Sequence, residues 1–408
     1  MKKSIQYQLS FMMFLEFFIW GGWFVTLGSF LGNNLSATGA ETGMAYSTQS
    51  WGAIIAPFII GLIADKFFNA EKILGVLHIV GAVLMYQMSQ STEFATFYPY
   101  VLGYMIAYMP TLALVNSVSF NQMKDPAKEF PLVRVFGTIG WILAGLIISF
   151  VFKWDSIENI GNGMLSNTFT MVAIASAVLG VFSFTLPKTP PKGKGEKTSI
   201  SDILGLDALK LLKDRNFLVF FISSVLICIP LAFYYQNISP FLTEYKVENS
   251  TAWASIGQIS EVGFMLLLPF FFKKYGFKKT ILFGMLAWGI RYALFAYGNA
   301  GDLFFMLVIG IALHGICYDF FFVSGQIYTD SKAGDKVKSA AQGLITLATY
   351  GIGMLVGFWV AGNIVDKNLL AEGTHSWQDV WMFPALFAIG VLIFFAVLFK
   401  NEKVEYKA

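Results

Sequence analysis

The 408 residues are 56% hydrophobic and 17% aromatic but only 13% charged, and their mean hydropathy is +0.63. This balance excludes an ordinary water-soluble protein, in which about a quarter of the residues carry charge. The net charge of +3, from 28 basic and 25 acidic residues, is too small to point to nucleic acid as a partner.

Apolar runs between polar breaks predict twelve helices, over 8–31, 42–63, 73–90, 97–119, 131–152, 167–186, 217–241, 252–272, 280–298, 303–327, 340–365 and 379–399. Each has about the 20 residues that a bilayer core requires, so the fold class expected is an all-α membrane protein with twelve transmembrane helices. So many spans leave no room for a large soluble domain. The first begins only a few residues into the chain and lacks a small-residue cleavage site, so it is expected to stay in the mature protein. When the N-terminus is set in the cytoplasm, 23 of the 28 basic residues fall in inner loops and tails, against Lys153, Lys246 and Lys367 in outer loops. Arg134 and Arg291 lie within spans. The positive-inside rule then places both termini in the cytoplasm.

The longest polar stretch divides the chain into a six-helix half over 1–186, a cytoplasmic linker over 187–216 and a second six-helix half over 217–408. The linker opens as PKTPPKGKGEKTS, a flexible composition. It continues as ISDILGLDALKLLKD, whose periodicity predicts a helix along the membrane surface. GLIADKFFNAEKIL after the second span and PFFFKKYGFKKTIL after the eighth hold the same place in each half and end alike. Such a parallel repeat is found in transporters whose substrate site lies near the midplane, between the halves.

Charge near the bilayer centre costs at least about 2.5 to 3.5 kcal/mol on insertion scales, so each ionisable residue kept within a span points to function. Glu16, Arg134, Glu261, Arg291 and Asp319 meet that description. Arg134, Thr138 and Trp141 share one helix face through i, i+4, i+7 spacing, presenting a cation, a hydroxyl and an indole plane. Gln258 and Glu261 are i, i+3 neighbours that suit the edge of a base or a pair of ribose hydroxyls. His314, Tyr318 and Asp319 form a third group, with Phe322 beyond. Each has a plainer alternative. Arg134, one turn inside its helix, could snorkel to the surface. Arg291 sits among aromatics and suits cation-π packing, Glu16 with Trp20 and Trp23 could line a cavity or merely pack, and His78 reads as a satisfied interior histidine. Glu261 and Asp319, with no basic neighbour on their own helices, are the candidates for proton coupling. Cys228 and Cys317 fall in apolar runs and read as packing residues. Without a nucleotide-binding, zinc or nucleophile motif, the expectation is a carrier and not an enzyme, with no cofactor. A sugar or drug carrier of the same fold is the alternative, and a non-transporting receptor a more distant one.

The segments FLEFFIWGGWFVTLGSF (14–30), AYMPTLALVNSVSF (107–120), RVFGTIGWI (134–142), ILGLDAL (203–209), IGQISEVGF (256–264), RYALFAYG (291–298) and HGICYDFFFVSGQ (314–326) carry a resemblance to the nucleoside:H+ symporter family of the major facilitator superfamily. The resemblance implies a major facilitator fold and proton-driven uptake of nucleosides across the bacterial cytoplasmic (inner) membrane. The partners implied are a nucleoside substrate, protons and membrane lipid, with the chain expected to function as a monomer driven by the proton gradient alone. The family's substrate-site pattern falls on Arg134, Thr138, Trp141, Gln258, Glu261, His314, Tyr318 and Asp319. Relatives carry Phe at the position of Trp141 and Tyr at that of His314. On the seventh span, where the family places polar amides, this chain has Ala232 and Tyr235 with Gln236 beside them. Tyr235 and Gln236 are therefore added to the site, with Tyr234 an open alternative.

Overall fold

The computed structural model describes residues 1–59, 68–191, 206–402 and 404. Those residues are almost wholly helical; the β-structure among them is one isolated bridge between Leu369 and His375. Nine helical stretches among them are long and apolar enough to cross a membrane, and one, Ser250–Tyr297, has 48 residues. At 1.5 Å per residue that is about 72 Å, more than twice a bilayer core. It holds two spans, and they meet at Gly276, whose φ of 75° ends one helix and starts the next. The chain separates into two compact units, Met1–Ser199 with Glu248–Ala252, and Ile200–Val247 with Trp253–Ala408.

In the first unit, α1 (Lys3–Gly21) and α2 (Leu27–Leu35) share the first expected span. The break between them is pinned by Tyr46, whose hydroxyl donates to the Phe24 carbonyl and accepts from the Gly28 amide, both at 3.0 Å. Inside a membrane the freed backbone groups need such partners. Then follow α3 (Gly39–Ile59), α4 (Ala70–Gln90), α5 (Phe94–Asn121), α6 (Pro126–Leu146), a π-helical turn over Ile147–Val151, the short α7 (Ile157–Gly161) and α8 (Ser166–Ser183). Helix α1 packs on α6, α4 on α8, and both α3 and α4 on α5. The α1–α6 contact is backbone against backbone, since a Cβ on Gly140 would lie 2.2 Å from the Phe14 carbonyl oxygen. Buried Asp155 accepts from the Ser149 hydroxyl (2.6 Å) and the Thr251 amide (2.9 Å), which accounts for residues 248–252 belonging to this unit.

The second unit comprises a 3-10 segment (Leu206–Lys213), α9 (Arg215–Glu244), the greater part of α10 (Ser250–Tyr297), α11 (Phe304–Ala312), α12 (His314–Tyr318), a π-helical turn over Asp319–Val323, α13 (Ser324–Thr346), a second π-helical stretch over Leu347–Gly353, α14 (Met354–Lys367) and α15 (Trp377–Leu398). Helix α9 packs against α14 and α15. The expected inner loop between the tenth and eleventh spans is itself helical, because α13 runs straight through it. Lys332 on that segment bridges Glu402 (2.8 Å) and Asp214 (3.2 Å). Partial burial pushes the Asp214 carboxyl up, but its bonds from the Phe217 amide and Lys332 outweigh this and hold it below its ordinary range. The helix expected along the membrane surface within 200–214 is 3-10 over its described part, Leu206–Lys213. Residues 192–205 of the linker and 61–67 of the first repeated loop lie outside the described residues.

Candidate functional site

Two groups of the sequence-selected residues come together, one in each unit. In the first, α6 carries Arg134, Thr138 and Trp141 as one half-buried row, as the i, i+4, i+7 spacing requires. The Arg134 guanidinium lies 4.1 Å above the ring of Phe17 on α1. A cation over an aromatic face is held electrostatically, so this half-buried side chain is engaged with α1. Trp141 meets Trp20 edge to face at 5.6 Å, and Trp20 meets Tyr108 at 5.8 Å. Gly21 permits that approach, since a Cβ there would stand 2.8 Å from the Trp141 ring. The result is an aromatic wall of three rings from three helices beside one cation.

In the second unit the residues converge on His314, which is 1% exposed. Gly315 draws its helix onto α10, for a Cβ at that position would sit 2.6 Å from the Ser260 backbone and 2.7 Å from the Glu261 amide. The His314 ring stacks on Tyr234 (5.3 Å, 24°), meets Tyr235 edge-on (6.4 Å, 79°) and lies tilted against Tyr318 (5.8 Å). Its Nδ1 is 3.0 Å from Nη1 of Arg291. Arginine has only donors, so Nδ1 accepts and the ring proton is on Nε2. Protonating both nitrogens would break that bond and set two cations side by side. Arg291 itself is fully buried, with its guanidinium 3.6 Å above Tyr234 and near Tyr292 and Phe295. The cation-π reading of Arg291 therefore holds, but its contact with His314 also ties it to the candidate site.

Asp319 opens the π-helical turn and is 0% exposed, and neither of its carboxylate oxygens has a hydrogen-bond partner among the described residues. An ionised carboxylate left so is costly, and π-turns in helices frequently mark functional positions. Glu261, half-buried on α10, is within electrostatic reach of Asp319, Tyr235 and Tyr350. Gln258 is half-buried one turn before it. The Tyr318 and Tyr350 hydroxyls bond at 2.9 Å. Tyr350, on the second π-helical stretch, was not singled out from the sequence, where a tyrosine among the glycines of an apolar run carries no signal.

Gln236 stands apart from this group. It is fully buried, and with its amide oriented to satisfy both neighbours it donates to the Phe358 carbonyl (3.2 Å) and accepts from the Gly362 amide (3.3 Å). Those two groups are an i, i+4 backbone pair of α14, so the side chain is used in helix packing. Tyr234 and Tyr235, and not Gln236, face His314.

Residues 2–404 match the family model described as nucleoside H+ symporter. The chain belongs to that family. It is 44% identical to YegT of Escherichia coli (strain K12), over 98% of this chain and 95% of that protein. To the xanthosine permease of the same organism it is 34% identical, with 99% of each chain covered. The crystal structure of the nucleoside transporter NupG superposes with a TM-score of 0.87 at 31% identity, over 98% of this chain and 100% of that one. This symporter chain is thus a multi-pass membrane transporter of major facilitator type and not an enzyme.

The Arg291–His314 bond carries its own expected result. Arg291→Met removes the donor that fixes the His314 tautomer and leaves Nδ1 of a buried ring without its partner, a loss of about 1 to 3 kcal/mol. Uptake by the variant should then fall by roughly tenfold relative to the unsubstituted protein, as measured by initial rates at equal protein levels.

Proposed function

We propose that this protein imports nucleosides together with protons by alternating access, with Asp319 and Glu261 as the proton-carrying groups. The observation that carries this reading is the buried, unpartnered Asp319 carboxyl within electrostatic reach of a second carboxylate. Two neighbouring carboxylates cannot both stay ionised cheaply in such surroundings, so at least one takes a proton when the site is closed to water and releases it when access changes. The group in the second unit suits a nucleoside, since Tyr318 and Tyr235 offer flat faces for a base, Gln258 and Glu261 suit ribose hydroxyls, and Nε2–H of His314 donates to an acceptor. In the first unit, Trp141 offers a flat face of its own, with the cation of Arg134 and the hydroxyl of Thr138 on the same helix face. The similarity to a xanthosine permease and to a nucleoside transporter supports that substrate class.

On this reading the chain works as a monomer in the bacterial cytoplasmic membrane, and the loop charges support both termini inside. Its outer surface fits lipid, with Leu266 and Val397 exposed at 78% and 74%. No cofactor takes part, since the proton gradient supplies the energy. The test is uptake of labelled nucleosides into vesicles holding the purified protein, with and without an imposed proton gradient. Accumulation that ignores the gradient would overturn the reading.

Recognition divides between base and sugar. Stacking is worth about 1 to 3 kcal/mol per base in nucleic-acid sites and tolerates different bases, so Trp141→Ala should weaken all nucleosides together. Losing one partner of a buried polar group costs about 1 to 3 kcal/mol, so Gln258→Ala should chiefly narrow the preference for ribo- over deoxyribonucleosides. Competition assays with paired nucleosides separate the two effects.

A further inference from the structure

Tyr350 is not among the residues that the sequence assigns to the site, yet three of those residues lie around it. It sits on the π-helical stretch Leu347–Gly353 of the eleventh span, which supplies no residue to the pattern implied by the family resemblance. Its hydroxyl bonds the Tyr318 hydroxyl at 2.9 Å. Glu261 and Tyr235 are within its electrostatic reach. Side chains of α9, α10 and α12 thus meet one residue of a fourth segment, and both phenols of the bonded pair are half-buried.

The two ends of this bond are anchored unequally. On the Tyr350 side, the chain is pressed onto α9. A Cβ on Gly353 would stand 2.6 Å from the Val225 carbonyl oxygen, and one on Gly357 would stand 2.6 Å from the Ala232 Cβ and 3.0 Å from the Cys228 carbonyl oxygen. Gln236 of α9 extends the same contact to Phe358 and Gly362. Interiors packed this closely yield little and transmit displacement. Tyr318, in contrast, ends α12, a helix of five residues, and the π-helical turn Asp319–Val323 follows directly. Its ring neighbours His314 (5.8 Å) and Phe322 (5.0 Å) belong to the same run of chain and shift with it. The Tyr350 hydroxyl ties the far end of the ring to a different helix. A phenol oxygen lies on the long axis of its ring, so anchoring it fixes the direction of that axis, while His314 and Phe322 set the tilt.

We propose that Tyr350 is a positioning residue of the transport site, whose hydroxyl holds the Tyr318 ring in the orientation that receives the base. It acts through Tyr318. The inference rests on the reading of Tyr318 as a stacking face for a nucleoside. Without the tie, the ring is ordered only when the ligand arrives, and ordering one side chain on binding weakens affinity by about twofold to tenfold.

Tyr350→Phe, Tyr318→Phe and the double variant keep both rings and remove the hydroxyls singly and together. In the purified full-length protein without nucleoside, the fall in unfolding temperature of the double variant should be smaller than the sum of the two single falls, because one bond is lost in each case. Additive falls would overturn the proposal. In vesicles, Tyr350→Phe should raise KM for nucleosides by about twofold to tenfold with the maximal rate little changed, the mark of binding lost equally before and during translocation. The ratio of ribo- to deoxyribonucleoside affinity should stay as it is, because Gln258 and Glu261 are untouched. Adding Tyr350→Phe to Tyr318→Phe should raise KM no further. A lower maximal rate at unchanged KM would indicate a merely structural role and overturn the proposal, as would independent effects of the two substitutions on KM. Absence of nucleoside uptake by the unsubstituted protein would overturn the substrate reading and this inference with it, whereas unchanged KM in Tyr350→Phe, with uptake present, would overturn the inference alone.

Discussion

Asp319→Asn is expected to abolish accumulation of nucleoside against its gradient while sparing exchange of nucleoside across the membrane. The amide nearly matches the carboxyl in shape and fills the same buried space beside the π-turn, so the fold has little reason to change. It is also permanently neutral. A proton moving inward with the substrate gains about 2.3 kcal/mol per 100 mV, against about 1.4 kcal/mol for each tenfold concentration ratio. Losing that step removes more than a tenfold ratio of accumulation at such a potential. Glu261→Gln should act in the same direction and less completely, because Glu261 is half-buried where Asp319 is not exposed at all. The measurement pairs gradient-driven uptake with counterflow in the same vesicles. If both variants still concentrate nucleoside, the proton follows another route.

Arg134→Lys should reduce uptake by tenfold or more, in order of magnitude the loss of one well-placed interaction of about 1.4 kcal/mol, at normal levels in the membrane. A guanidinium can meet an aromatic face and still present a planar fork of donors, and this one lies 4.1 Å above Phe17. An ammonium is a compact, strongly hydrated charge without that fork. Near-normal uptake by the lysine variant would mean that charge alone matters at this position, as snorkelling to the surface requires. Comparing Arg134→Lys with Arg134→Gln, which has the amide but no charge, separates geometry from charge.

Much of the site was legible because the bilayer penalises charge so heavily. Arg134, Glu261 and Asp319 stand out in apolar runs, and helical spacing alone predicts that Thr138 and Trp141 share a face with the first and Gln258 with the second. The seventh span was not legible in this way. PLAFYYQN offers four polar side chains in succession, and which of them turn toward His314 depends on how α9 is rotated against α14. Packing decided it, with Gln236 taken up by the Phe358–Gly362 backbone pair and both Tyr234 and Tyr235 against the histidine.

What the sequence by itself determined is membrane residence, the approximate positions of the spans, the loop charge pattern and the short list of ionisable residues within the bilayer. All of these follow from local composition, since hydrophobic length and isolated charge are read one segment at a time. Only the tertiary structure decided which of those residues meet. The tautomer of His314 depends on Arg291, 23 residues away, and the partner of the buried Glu16 carboxyl is His78, 62 residues away. Such pairs have no spacing rule, because they are made where different helices pack and the low dielectric there lets a single contact decide where a proton sits.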